Sequence, residues 1–157
     1  LAKAEAGMSK RTTYFTQEGA TEIMEVGGIS KPSDVSYQTS ENASANIGLP
    51  KGSFILKLQI ERLIGLRQAC RLKIEPSYKT LPQKTDSKRI GGWEYPFDSA
   101  SFSVSIRWGQ FIFLSPAFEE KKAEQTYPPD LGERLFAVKD GKDVIRFTLI
   151  YCGLIKD

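Results

Sequence analysis

Apolar and polar residues alternate along several stretches of this chain, the period that sends every second side chain to the same face of a strand. Phe54, Leu56, Leu58 and Ile60 alternate with Ile55, Lys57, Gln59 and Glu61, which predicts one row on a core and a mostly polar row in water. Cys70, Leu72 and Ile74 alternate with Arg71, Lys73 and Glu75, and Pro76, lacking a backbone donor, is expected to stop that ladder. Phe102, Val104, Ile106 and Trp108 form a third core-facing row, ended by Gly109, and Phe111–Leu114, apolar at every position, reads as a more deeply buried strand. Arg134–Val138 and Val144–Tyr151 flank a Lys-Asp-Gly-Lys-Asp stretch, and Asp-Gly between two apolar runs is a strong hairpin signal. Shorter strands are expected at Thr12–Phe15 and Ile23–Val26, the latter closed by a Gly27-Gly28 turn.

Between these runs, residues 30 to 50 are polar and hold few large apolar side chains, so they read as a long surface loop. Glu119–Gln125 combines good helix formers ahead of Pro128-Pro129, which predicts a short helical segment near 119–125. No internal repeat or heptad interrupts the pattern. The fold expected is all-β, an antiparallel β-sandwich of C2-like or jelly-roll-like form. Residues 1–50 are expected to be an N-terminal arm and polar loop with short strands, partly flexible, and residues 51–157 the sandwich domain.

Composition narrows the functional classes. The 157 residues carry 22 Lys and Arg against 19 Asp and Glu, a formal net charge of +3, too small for general polyanion affinity, so nucleic acid is not an expected partner. The apolar runs span only a few residues, whereas a membrane-crossing helix needs roughly 20. The stretch Leu-Ala-Lys-Ala-Glu-Ala-Gly ahead of Met8 has no apolar signal-peptide core and reads as a processed or appended end. Cys70 and Cys152 read as two buried thiols in a reducing compartment, so a cytoplasmic location, peripheral at a membrane, is expected. Asn42-Ala43-Ser44 matches a glycosylation sequon, a pattern too common to assign a location.

The absence of histidine removes the usual general base, the Ser-His-Asp and Cys-His arrangements and His-ligated zinc. No glycine pattern matches a phosphate-binding loop, and no cofactor is expected. Glu94 and Asp98 could form a carboxylate pair for a glycosidase, although loop acids are more often solvated or capping. Asp140 and Asp143 raise a calcium question, but two acids beside Lys139 and Lys142 fit a tight turn better than a metal site.

Two features remain for binding. A basic stretch runs from Arg71 and Lys73 through Lys79, Lys84, Lys88 and Arg89 with only Glu75 and Asp86 opposing it; it reads either as a solvated face or as a contact for anionic lipid. Directly after it, Trp93, Tyr95 and Phe97 alternate, and they read either as a plug on one end of the sandwich or as an exposed anchor for a membrane, a sugar or a protein.

The order of these features resembles that of C2 domains, eight-stranded β-sandwiches that often bind phospholipid or proteins. "FILKLQIERLIGL" is similar to their opening strand, "CRLKIEPSYKT" to the next strand and its lysines, and "GGWEYPFDSASFSV" to their Trp-Glu-x-x-Phe region at Trp93, Glu94 and Phe97. "RLFAVKDGKD" resembles their late strand and acidic loop. The likeness covers residues 53 to 157. No Ser-Asp-Pro-Tyr element follows the first strand and Gly65–Ala69 holds no aspartate, so the resemblance implies a calcium-independent member whose phosphoinositide contacts would fall on Lys73, Lys79, Lys84 and Lys88. The resulting expectation is a non-catalytic module docking on an anionic phospholipid membrane or a partner protein through Lys73, Lys79, Lys84, Lys88, Arg89, Trp93 and Tyr95, without metal. The alternatives are a structural subunit of a larger, capsid-like assembly, which would be a homo-oligomer, and a carbohydrate-binding or carboxylate enzyme domain.

Overall fold

The computed structural model describes residues 18–39, 43–64, 69–85, 88–90, 92–115, 130–139, 143–145 and 148–151. Its centre is the antiparallel pair of the two long alternating segments, β4 (Gly52–Ile64) and β5 (Ala69–Thr80). The even-numbered residues Phe54, Leu56 and Leu58 of β4 and Cys70, Leu72, Ile74 and Tyr78 of β5 are all buried, the face that the alternation predicts. β1 (Thr21–Ile29) pairs with β4 along its other edge. It runs through Gly27 and Gly28 instead of turning there, and absorbs the irregularity as a register shift between Glu25 and Gly27.

Pro76 does not end β5. Two strands share the far edge of β5: β9 (Phe102–Arg107) pairs with Ala69–Ile74, and β8 (Glu94–Pro96) with Ser77–Lys79. Pro76 falls in the gap between them. Its carbonyl accepts the Phe97 N–H at 3.0 Å on that side, so the missing donor of the proline also faces the seam and no ladder bond is lost to β4. The five strands form one sheet in the order β1-β4-β5-β8, with β9 also on β5.

The long loop expected over residues 30 to 50 is instead a hairpin. β2 (Ser33–Gln38) and β3 (Ser44–Leu49) pair through six residues each, and their few apolar side chains are the ones that matter: Val35 and Leu49 are fully buried in the same cluster as Phe54 and Ile74. α1 (Leu131–Phe136) lies where the hairpin signal placed the start of a strand at Arg134. It is capped reciprocally, since the Glu133 N–H donates to Asp130 Oδ1 at 2.7 Å and the Asp130 N–H to Glu133 Oε2 at 3.3 Å, the capping-box arrangement. Leu131 and Leu135, four residues apart, then share a helix face and are buried. Of the predicted hairpin, β11 (Ala137–Lys139) pairs with β12 (Asp143–Ile145), while the rest of the expected second strand pairs elsewhere.

β10 (Phe111–Leu114) pairs with β13 (Thr148–Tyr151), and Ile112, Leu114 and Ile150 pack on the core from that ladder. The fold is therefore all-β and antiparallel with one short helix among the described residues. The segments Thr12–Phe15 and Glu119–Gln125, with Asp140 and Cys152, lie outside those residues. Two rows are less buried than the alternation predicts. Phe102 and Trp108 are exposed at the two ends of the β9 row, leaving Ile106 as its buried member, and Phe111 and Phe113 are exposed, so β10 is partly buried on one face only.

Candidate functional site

Thr80 ends β5 and Trp93 precedes β8, and the two residues are clasped. The Trp93 N–H donates to Thr80 Oγ1 at 2.9 Å, the Thr80 N–H to the Trp93 carbonyl at 3.0 Å, and the Thr80 hydroxyl to the same carbonyl at 3.2 Å. The chain between them leaves the main sheet and forms its own two-stranded ladder, β6 (Gln83–Thr85) with β7 (Lys88–Ile90). Register sets Lys84 opposite Arg89 and Thr85 opposite Lys88. Residues 81–92 carry three cations and one anion, Asp86, so the excursion is basic while its base is apolar: Leu81 is 48% exposed and Trp93 45% exposed. The Leu81 N–H is anchored to the Lys51 carbonyl at 3.3 Å.

Trp93, Tyr95 and Phe97 descend from this base into the core. Phe97 is buried, Tyr95 half-buried and Trp93 exposed, so the row is plug at one end and surface at the other. Edge-on contacts link Trp93 to Tyr95, Tyr95 to Phe97 and Phe97 to Tyr37, at ring separations of 6.4, 5.2 and 5.3 Å. The Tyr37 and Tyr95 hydroxyls lie 2.9 Å apart, and the Tyr37 hydroxyl, with burial, raises the Tyr95 phenol above its ordinary value.

The remaining cations occupy the other face of the sheet. On β5 the odd-numbered Arg71, Lys73, Glu75, Ser77 and Lys79 face away from the core row. They are interleaved with acids: Lys73 pairs with Glu75 at 2.8 Å, Arg71 with Glu61 at 3.1 Å and Lys57 with Glu94 at 2.5 Å. The hydrogen bond that Lys73 donates to Glu75 raises its ammonium above the ordinary value. Lys73 and Lys79 thus lie on the face opposite Trp93 and Tyr95, while Lys84, Lys88 and Arg89 belong to the hairpin. The continuous basic run of the sequence is divided in space into a charge-compensated sheet face and a cationic hairpin.

Glu94 is held in an ion pair with Lys57, whose hydrogen bond lowers its carboxyl, with burial opposing, whereas a general acid needs a raised value. Asp98 opens an exposed 3-10 turn, Asp98–Ala100. Among the described residues no group of His, Cys, Asp and Glu side chains could hold a metal ion, and no helix is long and apolar enough to cross a membrane. An open cleft of 370 Å³ lies between Pro32-Ser33-Asp34 and Gly48-Leu49-Pro50; none of the residues singled out in the sequence lines it. Thr80 and Leu81 were not legible as site residues, because their importance lies in closing a loop whose ends only the fold brings together. Comparison with family models, with curated proteins and with solved structures finds no match to this chain.

Proposed function

We propose that the chain is a non-catalytic binding module, a calcium-independent C2-like β-sandwich that docks on an anionic membrane surface through the hairpin Gln83–Ile90 and the apolar base of that hairpin. The observation that carries this reading is the Thr80–Trp93 clasp, which holds a hairpin of three cations and one anion beside two half-exposed apolar side chains, Leu81 and Trp93. Each basic residue close to an anionic bilayer contributes about 1 kcal/mol, an attraction that salt screens. An amphipathic indole and a leucine at the base suit the interfacial zone beneath the headgroups. Lys73 and Arg71 contribute little in this scheme, because Glu75 and Glu61 compensate them; Lys79 stands exposed beside the hairpin.

Cosedimentation with neutral and phosphoinositide-containing vesicles, at low and high salt, tests the proposal. The wild-type chain is expected to pellet with anionic vesicles at low salt, and Lys84→Glu with Lys88→Glu is expected to weaken that binding at least about tenfold with unchanged thermal unfolding. Absence of binding under every condition, or a double variant that binds like wild type, would reject the lipid reading and direct attention to a protein partner.

A further inference from the structure

We infer that the Lys84–Arg89 register pair of the hairpin is a site for a lipid-borne phosphomonoester, so that docking selects lipids ending in a doubly charged phosphate over singly charged ones. This rests on the reading of the chain as a membrane-docking module and names the headgroup chemistry that the hairpin would take.

β6 and β7 have three residues each, and their pairing sets Gln83 opposite Ile90, Lys84 opposite Arg89 and Thr85 opposite Lys88. Residues directly opposite share a face of the ribbon, with Cβ atoms about 4.5–5.5 Å apart, and successive positions change face. Lys84 and Arg89 therefore belong to one face and Lys88 to the other. Like charges directly opposite destabilise an antiparallel pair, and a ribbon of two short strands has little else to hold it.

On the main sheet such charges are answered by acids. Lys57 stands opposite Glu75 and Lys79 opposite Glu94. A second like-charge register pair, Arg62 opposite Arg71, has Glu61 on Arg71 at 3.1 Å. In the hairpin no acid holds a paired position. Asp86 is the single anion of residues 81–92 against Lys84, Lys88 and Arg89, so three positive charges less one negative leave a net +2. What the Lys84–Arg89 pair lacks is a counter-charge from outside the hairpin.

Charge decides which anion answers both members. A phosphodiester or a carboxylate carries one negative charge and compensates one cation. A phosphomonoester carries about 1.5 to 2 negative charges at pH 7 and three strong acceptor oxygens, enough for a guanidinium, which binds phosphate through two parallel N–H groups, and an ammonium beside it. The half-exposed Leu81 and Trp93 at the base of the same hairpin suit a phosphate presented at a bilayer surface rather than one free in solution.

Cosedimentation of the intact chain with phosphatidylcholine vesicles containing either phosphatidic acid, a monoester, or phosphatidylserine, a diester, tests the inference when the two are adjusted to equal surface charge by electrophoretic mobility. The wild-type chain is expected to bind the phosphatidic acid vesicles at least about fivefold more tightly. Lys84→Gln and Arg89→Gln are each expected to remove that preference, and the double variant to lose no more of it than either alone. Lys88→Gln, with the same loss of charge, is expected to weaken binding to both vesicles alike and keep the preference. Equal binding of the wild-type chain to the two vesicles overturns the inference while leaving the docking reading in place, and needs no variant to fold. So does a preference that Lys88→Gln lowers as much as Lys84→Gln and Arg89→Gln do, which would make the attraction a diffuse one. Displacement from phosphatidic acid vesicles by an equimolar amount of glycerol 3-phosphate overturns it in favour of a soluble ligand. Absence of binding to either vesicle overturns the inference together with the docking reading.

Discussion

Ser77 is almost wholly buried on the charged face of the sheet, and the Lys57–Glu94 pair explains why so small a residue stands there. Lys57 is on β4 and Glu94 on β8, so their ion pair crosses the intervening β5. Glu75 is the register partner of Lys57 and Lys79 that of Glu94; the β5 residue midway is Ser77, which also hydrogen-bonds Glu94. Because Lys57 depresses the Glu94 carboxyl, the linked stability is present above the unfolded carboxylate value of about 4.3 and is lost as pH falls through the lower, folded value. The pair is about one-third exposed, so solvent screening holds its contribution to about 1 kcal/mol or less. Thermal unfolding of Glu94→Gln against wild type should show that deficit at neutral pH and none in acid.

At the same scale, Tyr78 is fully buried, donates its hydroxyl to the Pro50 carbonyl and packs edge-on against Phe54 at 4.8 Å. Burial pushes its phenol up to about 12, the nearby Arg134 opposing. A raised phenol leaves the neutral form favoured in the fold, so this stabilisation is complete below the unfolded value of about 10 and is lost as pH rises through the folded value. In an alkaline ultraviolet titration Tyr78 should ionise late and together with unfolding, and Tyr78→Phe should remove that late step.

Among elements, the clasp is the feature on which the docking reading depends. A side chain at Gly92 would put its Cβ inside van der Waals contact of the Thr80 carbonyl oxygen, which is backbone and cannot swing aside. Gly92→Ala should therefore open the clasp and destabilise the protein by about 1–3 kcal/mol. Chemical denaturation measures this, and the same variant should increase protease cleavage within residues 81–92. β4 and most of β5 were legible from alternation because their polar rows face water. The extension of β5 past Pro76 was not, since only the fold reveals that its partner strands change at that residue. Residues 30 to 50 carry only a brief apolar row set among polar residues, Val35 and Tyr37 on β2 and Ile47 and Leu49 on β3, of which Val35 and Leu49 are buried and Tyr37 and Ile47 pack on the core. α1 did carry a signal, Asp130 and Glu133 at capping-box spacing with Leu131 and Leu135, but the apolar Leu135–Val138 run also matched a strand.

For the whole molecule, pattern identified the all-β class and the core rows of β4 and β5, but not which of the later aromatic residues lie inside. Trp108, Phe111 and Phe113 have the same character as Phe54 and Phe97 in sequence, and only the sheet arrangement separates the surface aromatics from the core ones. The basic stretch was legible as a stretch; its division into a compensated face and a cationic hairpin follows from sheet pairing that no local pattern contains. In the proposed docking, this hairpin with its aromatic base meets the membrane. Hydrogen–deuterium exchange of the intact chain with and without phosphoinositide-containing vesicles tests this contact: protection centred on residues 81–94, and lost there at high salt, is the predicted result. Unchanged exchange over 81–94 while the chain is vesicle-bound, or protection confined to the charged face of β4 and β5, would contradict it.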